Sequence, residues 1–214
     1  MTTISEQPEV QQKKRPFRTI LFILVGLAVG LALGWLLLTW LMPPSYHGQV
    51  INAQTPVTNF TLTGSGGEPV DLIDFRGKVV LLYYGYTFCP DVCPATMVEL
   101  RTAVQELGSK AKDVQVLMIS LDPERDTPEV LEKYVTHFDP SFIGLTGIEE
   151  EIIAASAPLG IFYEREKGSA ASGYLINHTA TVMALDKRGQ LRLLYPFGTT
   201  GEDIAADLRH LIRE

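Results

Sequence analysis

Eight consecutive residues, Val79 to Tyr86 (VVLLYYGY), carry no charge and run directly into TFCPDVCP. A strand of that composition is apolar on both faces, so it belongs at the centre of a sheet that is covered on each side. The residues after it turn helical. Met97, Leu100, Val104 and Leu107 recur on one stripe between Pro94 and about Leu107, and a proline is tolerated in the first turn of a helix. VQVLMISL, from Val114 to Leu121, reads as a second buried strand. DPERDTPEVLEKYVTHF then opens a second helix, with Pro128 at its first position and Asp126 or Thr127 as its cap.

The rest follows the same grammar. Upstream, VTNFTL is a short strand and TGSGGEP a turn; downstream, FIGLTG is a strand and IEEEIIAASAPLG a short helix. FYEREKGSAASGYLIN is an excursion. HTATVMALD and QLRLLYP, joined by a turn at Lys187 to Gly189, make a hairpin, and a final helix runs from about Gly201 to Arg213. Strand, helix, strand, helix, hairpin and helix in that order give an α/β domain with a mixed sheet flanked by helices. This is the thioredoxin-like pattern, with an extra strand in front and an insertion in the middle.

From Thr19 to Met42 no residue is charged. A helix of that length spans about 36 Å, enough to cross a bilayer with some tilt. KKRPFR precedes it, so the positive-inside rule places residues 1–18 in the cytoplasm and everything after Met42 on the extracytoplasmic side. Trp35 and Trp40 fall in its distal half, Trp40 near the expected interface. A cleaved secretory signal would need a shorter apolar core and a small-x-small site, whereas MPPSYHG follows here, so the helix is expected to stay as a single-pass anchor. Residues 43–56 then read as a linker and residues 57–214 as the folded domain. The N-terminal tail is not an Arg-rich, acid-poor transit peptide, which favours a bacterial inner (plasma) membrane with the domain facing the periplasm.

Of 18 basic and 25 acidic residues, four and two precede Met42, leaving 14 and 23 in the remainder, a net −9. An acidic domain with no Lys/Arg stripe gains little from phosphates, so nucleic acid is a poor partner, and a cation or a cationic partner fits better. The only cysteines, Cys89 and Cys93, lie on the side of the membrane where thiols can pair. They sit four residues apart where the central strand gives way to a helix. In helical geometry such positions share a face, and the positive end of the helix makes both thiols more acidic than usual. Pairing as a disulfide requires the connecting residues to bend.

Two thiolates select soft Cu(I), and an added imidazole extends the site to Cu(II). Of the four histidines, His47 lies in the linker, His137 late in the second helix and His210 on a charged face near the C-terminus. His178 begins the strand HTATVMALD, whose entry loop lies beside the cysteine turn in a sheet of this kind. It either completes a metal site with Cys89 and Cys93 or merely caps a strand and binds backbone. Met97, one turn beyond Cys93, is expected in the core although its thioether has the softness of a copper ligand. Asp122 and Asp126 lie on the ligand-binding edge of the sheet, where either can shape the site or attract a partner, with capping the better account of Asp126.

Three stretches resemble the Sco/SenC family of copper chaperones for cytochrome c oxidase: GYTFCPDVCP from Gly85, SLDPERDTPEVLEKY from Ser120 and GYLINHTATVMALDKRG from Gly173. The resemblance runs from Val57 to the C-terminus. It implies a thioredoxin-like fold, one copper held by Cys89, Cys93 and His178, and delivery to the oxidase subunit that carries the dicopper site. Other copper chaperones or thiol reductants are further implied partners. Family members commonly place an aspartate before that histidine, where this chain has Asn177. A second role is a thiol-disulfide oxidoreductase in which Cys89 and Cys93 are a redox-active pair that keeps partner cysteines reduced. CxxxC in place of CxxC, and a histidine with nothing to do, count against it. A thiol peroxidase shares the fold but needs neither the second cysteine at this spacing nor the histidine.

Overall fold

The computed structural model describes residues 17–41, 45–51, 55–168 and 173–214. The chain divides into two units, Met1–Pro44 and Ser45–Glu214. In the first, helix α1 runs Phe17–Leu41, and Ile20–Leu38 is long and apolar enough to cross a membrane, with a mean hydropathy of 2.7. Lys13 to Pro16, Met42 and the side chain of Trp40 lie outside the described residues.

In the second unit an eight-stranded sheet is built around β4 (Val79–Gly85) and β5 (Val114–Ser120), which run parallel and are buried at every position. Complete burial of both strands means that both sheet faces are covered, as the unbroken apolar runs require. β6 (Ile143–Thr146) extends the parallel half; β9 (Thr181–Leu185) pairs antiparallel with β4 on the other side, followed by β10 (Leu191–Pro196). The far edge holds β2 (Thr61–Gly64) and β3 (Pro69–Asp71), a hairpin. VTNFTL and VDLID thus supply two short strands, where the sequence predicts one.

Helix α2 (Val92–Leu107) crosses from β4 to β5 and packs beside α5 (Gly201–Leu211); α3 (Pro128–Phe138) lies against β6, and α4 (Glu149–Ser156) follows it. Thr127, not Asp126, caps α3: its hydroxyl accepts from the Val130 amide, with Pro128 at the first position.

Two expectations are corrected here. The described part of the expected linker, residues 45–51 and 55–56, belongs to the domain, since β1 (Gln49–Val50) adds an edge strand to β10 and Pro56 bridges to Gln190. Nothing in a two-residue strand announces itself in sequence; it exists because the edge of β10 offers unpaired backbone groups. The excursion is a hairpin of its own, β7 (Tyr163–Lys167) against β8 (Tyr174–His178), forming a separate two-stranded sheet, with residues 169–172 outside the described residues. His178 therefore ends β8 instead of beginning β9.

Candidate metal centre

Three side chains, from the turn after β4, from the start of α2 and from the end of β8, meet at the C-terminal end of β4. Cys89 lies in the turn between β4 and α2, its amide donating to the Tyr86 carbonyl at 3.3 Å. Cys93 is the second residue of α2 and fully buried. Its amide, pointing out of the helix start, reaches Cys89 Sγ at 3.4 Å; Cys89 itself is outside the helix. The two thiols therefore do not share a helical face as the spacing implies. One sits in front of the helix end and the other on its first turn.

His178 Nε2 lies 3.5 Å from Cys93 Sγ, and its Nδ1 lies 3.2 Å from the Thr179 carbonyl. A carbonyl only accepts, so Nδ1 donates there and Nε2 is the nitrogen that faces the sulfurs. The rings of Tyr83 and Tyr86 meet the imidazole edge-on, with centroids 6.4 and 5.9 Å away, fixing its plane. Gly85 lets the sulfur close onto the strand: a Cβ there would fall 3.0 Å from Cys93 Sγ and 2.9 Å from the Tyr83 ring. The Cys89, Cys93 and His178 ligand atoms all lie within 4.8 Å of one another, and both cysteines are free thiols. A first-row metal about 2.0–2.3 Å from each sulfur or nitrogen needs donors roughly 3.5–4 Å apart, so the set fits such an ion with little movement.

The thiols are not equally acidic, which corrects the expectation for Cys93. A hydrogen bond from Cys93 lowers Cys89 to a pKa of about 3, against burial, with His178 and the Cys93 amide helping. The same bond to Cys89, then burial, pushes Cys93 up. At neutral pH the pair is one half-buried thiolate and one buried thiol. Iodoacetamide should therefore modify Cys89 first, at a rate nearly flat between pH 5 and 8. An ordinary thiol would speed up almost tenfold per pH unit over that range. A mass-spectrometric time course showing such a rise, or Cys93 labelled first, would contradict this assignment.

The other candidates separate cleanly. His47 is bound to Asp207, His137 packs edge-on against Phe138, and His210 meets Tyr46 and Arg213, so none is near the sulfurs. Met97 is fully buried in the core, as expected. Asn177 is exposed and donates to Glu166 at 3.4 Å. Phe162, Glu164 and Asn177 line an open pocket of about 470 Å³ that reaches His178 from solvent.

Asp126 is the second correction. It is completely buried and accepts from the Thr87 amide at 3.0 Å, the Thr87 hydroxyl at 2.5 Å and Ser120 Oγ at 2.6 Å, so it holds the cysteine turn. Sequence reasoning missed Tyr83, Tyr86, Arg125 and Tyr174. For Tyr86 and Tyr174 the available signal was the phenol itself, since a tyrosine hydroxyl at the edge of a core usually has a polar partner.

Residues 49–213 match the SCO1/SenC family model. The chain belongs to the SCO1/SenC family. A SCO2-like protein of Rickettsia felis is 33% identical over 175 residues, which cover 79% of this chain and 85% of that one. The solution structure of apo Sco1 from Thermus thermophilus superposes with a TM-score of 0.70 at 40% identity, covering 78% of this chain and 97% of that one. ScoI of Bradyrhizobium japonicum, solved with copper bound, gives 0.67 at 32% identity, covering 73% and 99%. The thioredoxin-like fold read from the element order is thus the fold of SCO1/SenC proteins, and the Cys–Cys–His cluster sits in the region the family match covers.

Proposed function

We propose that the protein is a membrane-anchored copper metallochaperone. Cys89, Cys93 and His178 hold one copper ion as cargo and release it to the dicopper centre of cytochrome c oxidase during assembly. The observation that carries this reading is the convergence of two sulfurs and one imidazole nitrogen within 4.8 Å, from a turn and the helix it opens and from a hairpin far apart in sequence. Two soft sulfurs suit Cu(I), and the nitrogen makes Cu(II) tolerable. Three ligands leave coordination room for a donor from an acceptor protein, so the ion can pass by ligand exchange, without covalent chemistry on a substrate. α1 anchors the chain in a plasma membrane, residues 1–18 lie in the cytoplasm and the domain faces the periplasm; the apolar stretch Ile20–Leu38 supports the anchor.

The inequality of the two thiols favours a second reading on the same residues. The Cys89 thiolate would attack a partner disulfide and expel one partner thiolate. Cys93 would then displace the second partner sulfur and close an internal disulfide, so the partner gains two electrons and the pair loses two. His178→Ala separates the readings. In the reduced, detergent-solubilised chain, metal delivery expects uptake of about one equivalent of Cu(I) or Cu(II), with Cu(II) retention largely lost in the variant. Dithiol exchange expects the variant to reduce a test disulfide normally while copper binding is weak in both. Copper binding that ignores His178→Ala defeats the first reading.

A further inference from the structure

The hairpin that carries His178 is not hydrogen-bonded into the main sheet. The ladder of β9 on β4 brings the chain ahead of Thr181 to the cysteine end of the sheet, but no ladder among the described residues fixes the hairpin itself, whose last residue is His178. Side chains hold it there, and most of them converge on one short turn. We infer that the turn Ser120–Asp126 (SLDPERD), between β5 and α3, is a bracket that holds the cysteine arm and the histidine arm of the site at a fixed separation. Asp126, Asp122, Arg125 and Tyr174 are its positioning residues. The inference rests on the copper-binding reading above and adds the groups that make the site geometrically exact enough to retain Cu(II).

The cysteine arm is gripped by Asp126 through Thr87, two residues before Cys89, and through Ser120. The Leu121 amide donates to the Gly85 carbonyl at 2.8 Å, fastening the turn to the end of β4. The histidine arm is gripped by Asp122, equally buried, which accepts from the Tyr174 hydroxyl at 2.6 Å and pairs with Arg125 Nε. Arg125 Nη1 donates to the Tyr174 carbonyl at 3.2 Å, and its guanidinium lies 3.7 Å from the centroid of the Tyr174 ring and 4.7 Å from that of Phe88, beside Cys89. Arg125 thus contacts both arms. Tyr86, in the cysteine arm, accepts the Ile176 amide at 3.2 Å, two residues before His178.

The two aspartates are locked to each other, because the Asp126 amide donates to the Asp122 carbonyl at 2.9 Å and the Asp122 amide to Ser120 Oγ at 3.0 Å. A shift of either arm must therefore break a buried charged hydrogen bond or move both. Groups bonded directly to a metal ligand typically change affinity about 10- to 100-fold, and these act on the backbone that carries the ligands. The effect should be asymmetric between oxidation states. Cu(I) is content with two sulfurs, whereas Cu(II) needs the nitrogen.

Tyr174→Phe removes one hydroxyl and keeps the ring; Arg125→Lys keeps the charge and loses the planar fork. In the full chain, both are expected to lower Cu(II) affinity roughly 10- to 100-fold and to change the Cu(II) electron-resonance spectrum, while Cu(I) affinity moves less than about threefold. In the metal-free protein both should speed amide exchange at Ile176 and His178 relative to β9. Asp126→Asn is expected to act on the other arm, altering the Cys89 alkylation rate and Cu(I) affinity. Unchanged exchange and an unchanged Cu(II) spectrum in Tyr174→Phe and Arg125→Lys would overturn the bracket. If the wild-type chain takes up no copper, the copper reading fails, and the exchange measurement still decides whether the turn positions the hairpin. Should Arg125→Lys melt well below the wild type, Tyr174→Phe alone decides the matter.

Discussion

Cys93→Ala is expected to lower Cu(I) affinity by roughly two to three orders of magnitude while leaving the melting temperature almost unmoved. Structural zinc sites bind with about 10–16 kcal/mol, which spread over their four ligands is ~2.5–4 kcal/mol each, or ~10²–10³ in affinity. The sulfur is fully buried, so its removal also leaves a small gap. A cavity of that size costs on the order of 1 kcal/mol or less, which separates loss of a ligand from loss of the fold. The raised pKa of Cys93 brings in a proton: its thiol must ionise before it can coordinate, so uptake should release protons at neutral pH while Cys89, already ionised, contributes none. Cys89→Ala should lose copper comparably and also abolish the fast alkylation. Competition titration with a Cu(I) chelator measures the first effect. A Cys93→Ala chain that holds Cu(I) as tightly as the wild type would remove the second sulfur from the site.

Much of this site is legible before folding because the relevant signals are local. The apolar run ending at Gly85 fixes a central strand, Pro94 and the stripe through Leu107 fix the helix start, and the cysteines between them have only one place to be. His178 is legible for a different reason. The hairpin β9–β10 had to return beside β4, which brings whatever precedes Thr181 to the cysteine end of the sheet. The topology supplied the proximity even though the strand boundary was misplaced by three residues.

What was missed depended on groups that meet only after folding. An aspartate before Thr-Pro looks like a helix cap on local preference alone. Asp126 loses that role because burial beside Ser120 and Thr87 gives its carboxylate stronger partners than the exposed end of α3. The clasp of Arg125 on Tyr174 joins residues 49 apart, on opposite sides of α3 and α4 in the chain, and no periodicity reports such a pair. The same reasoning explains the acidity of the thiols. A helix N-terminus lowers both in principle, but two coupled thiols share one proton, and the deeper sulfur keeps it.

Residues 45–50 carry the second large effect. Asp207→Ala is expected to cost about 2–4 kcal/mol and to free residues 45–50 from the domain. Asp207 is completely buried and accepts the His47 amide at 3.0 Å, the Gly48 amide at 2.9 Å and the His47 ring at 2.9 Å. Without the carboxylate these amides must find water, which requires the segment to lift and β1 to leave β10. For a domain of this size the melting temperature should fall by roughly 5–15 °C, and chymotrypsin should cut after Tyr46 in the variant far faster than in the wild type. Equal melting temperatures and equal cleavage rates would show that the segment is held by something other than Asp207. The dependence on pH has a defined sign. The hydrogen bond to Asp207 raises the pKa of His47 above 6.5, so the charged pair's contribution is complete below that value and is lost as pH rises through the higher folded value. In Asp207→Ala most of that slope should disappear, leaving only what Asp203, 3.4 Å from the His47 ring, contributes. Release of residues 45–50 would also free six residues ahead of the domain, roughly 20 Å when extended, while the Pro56 bridge to Gln190 stays in place.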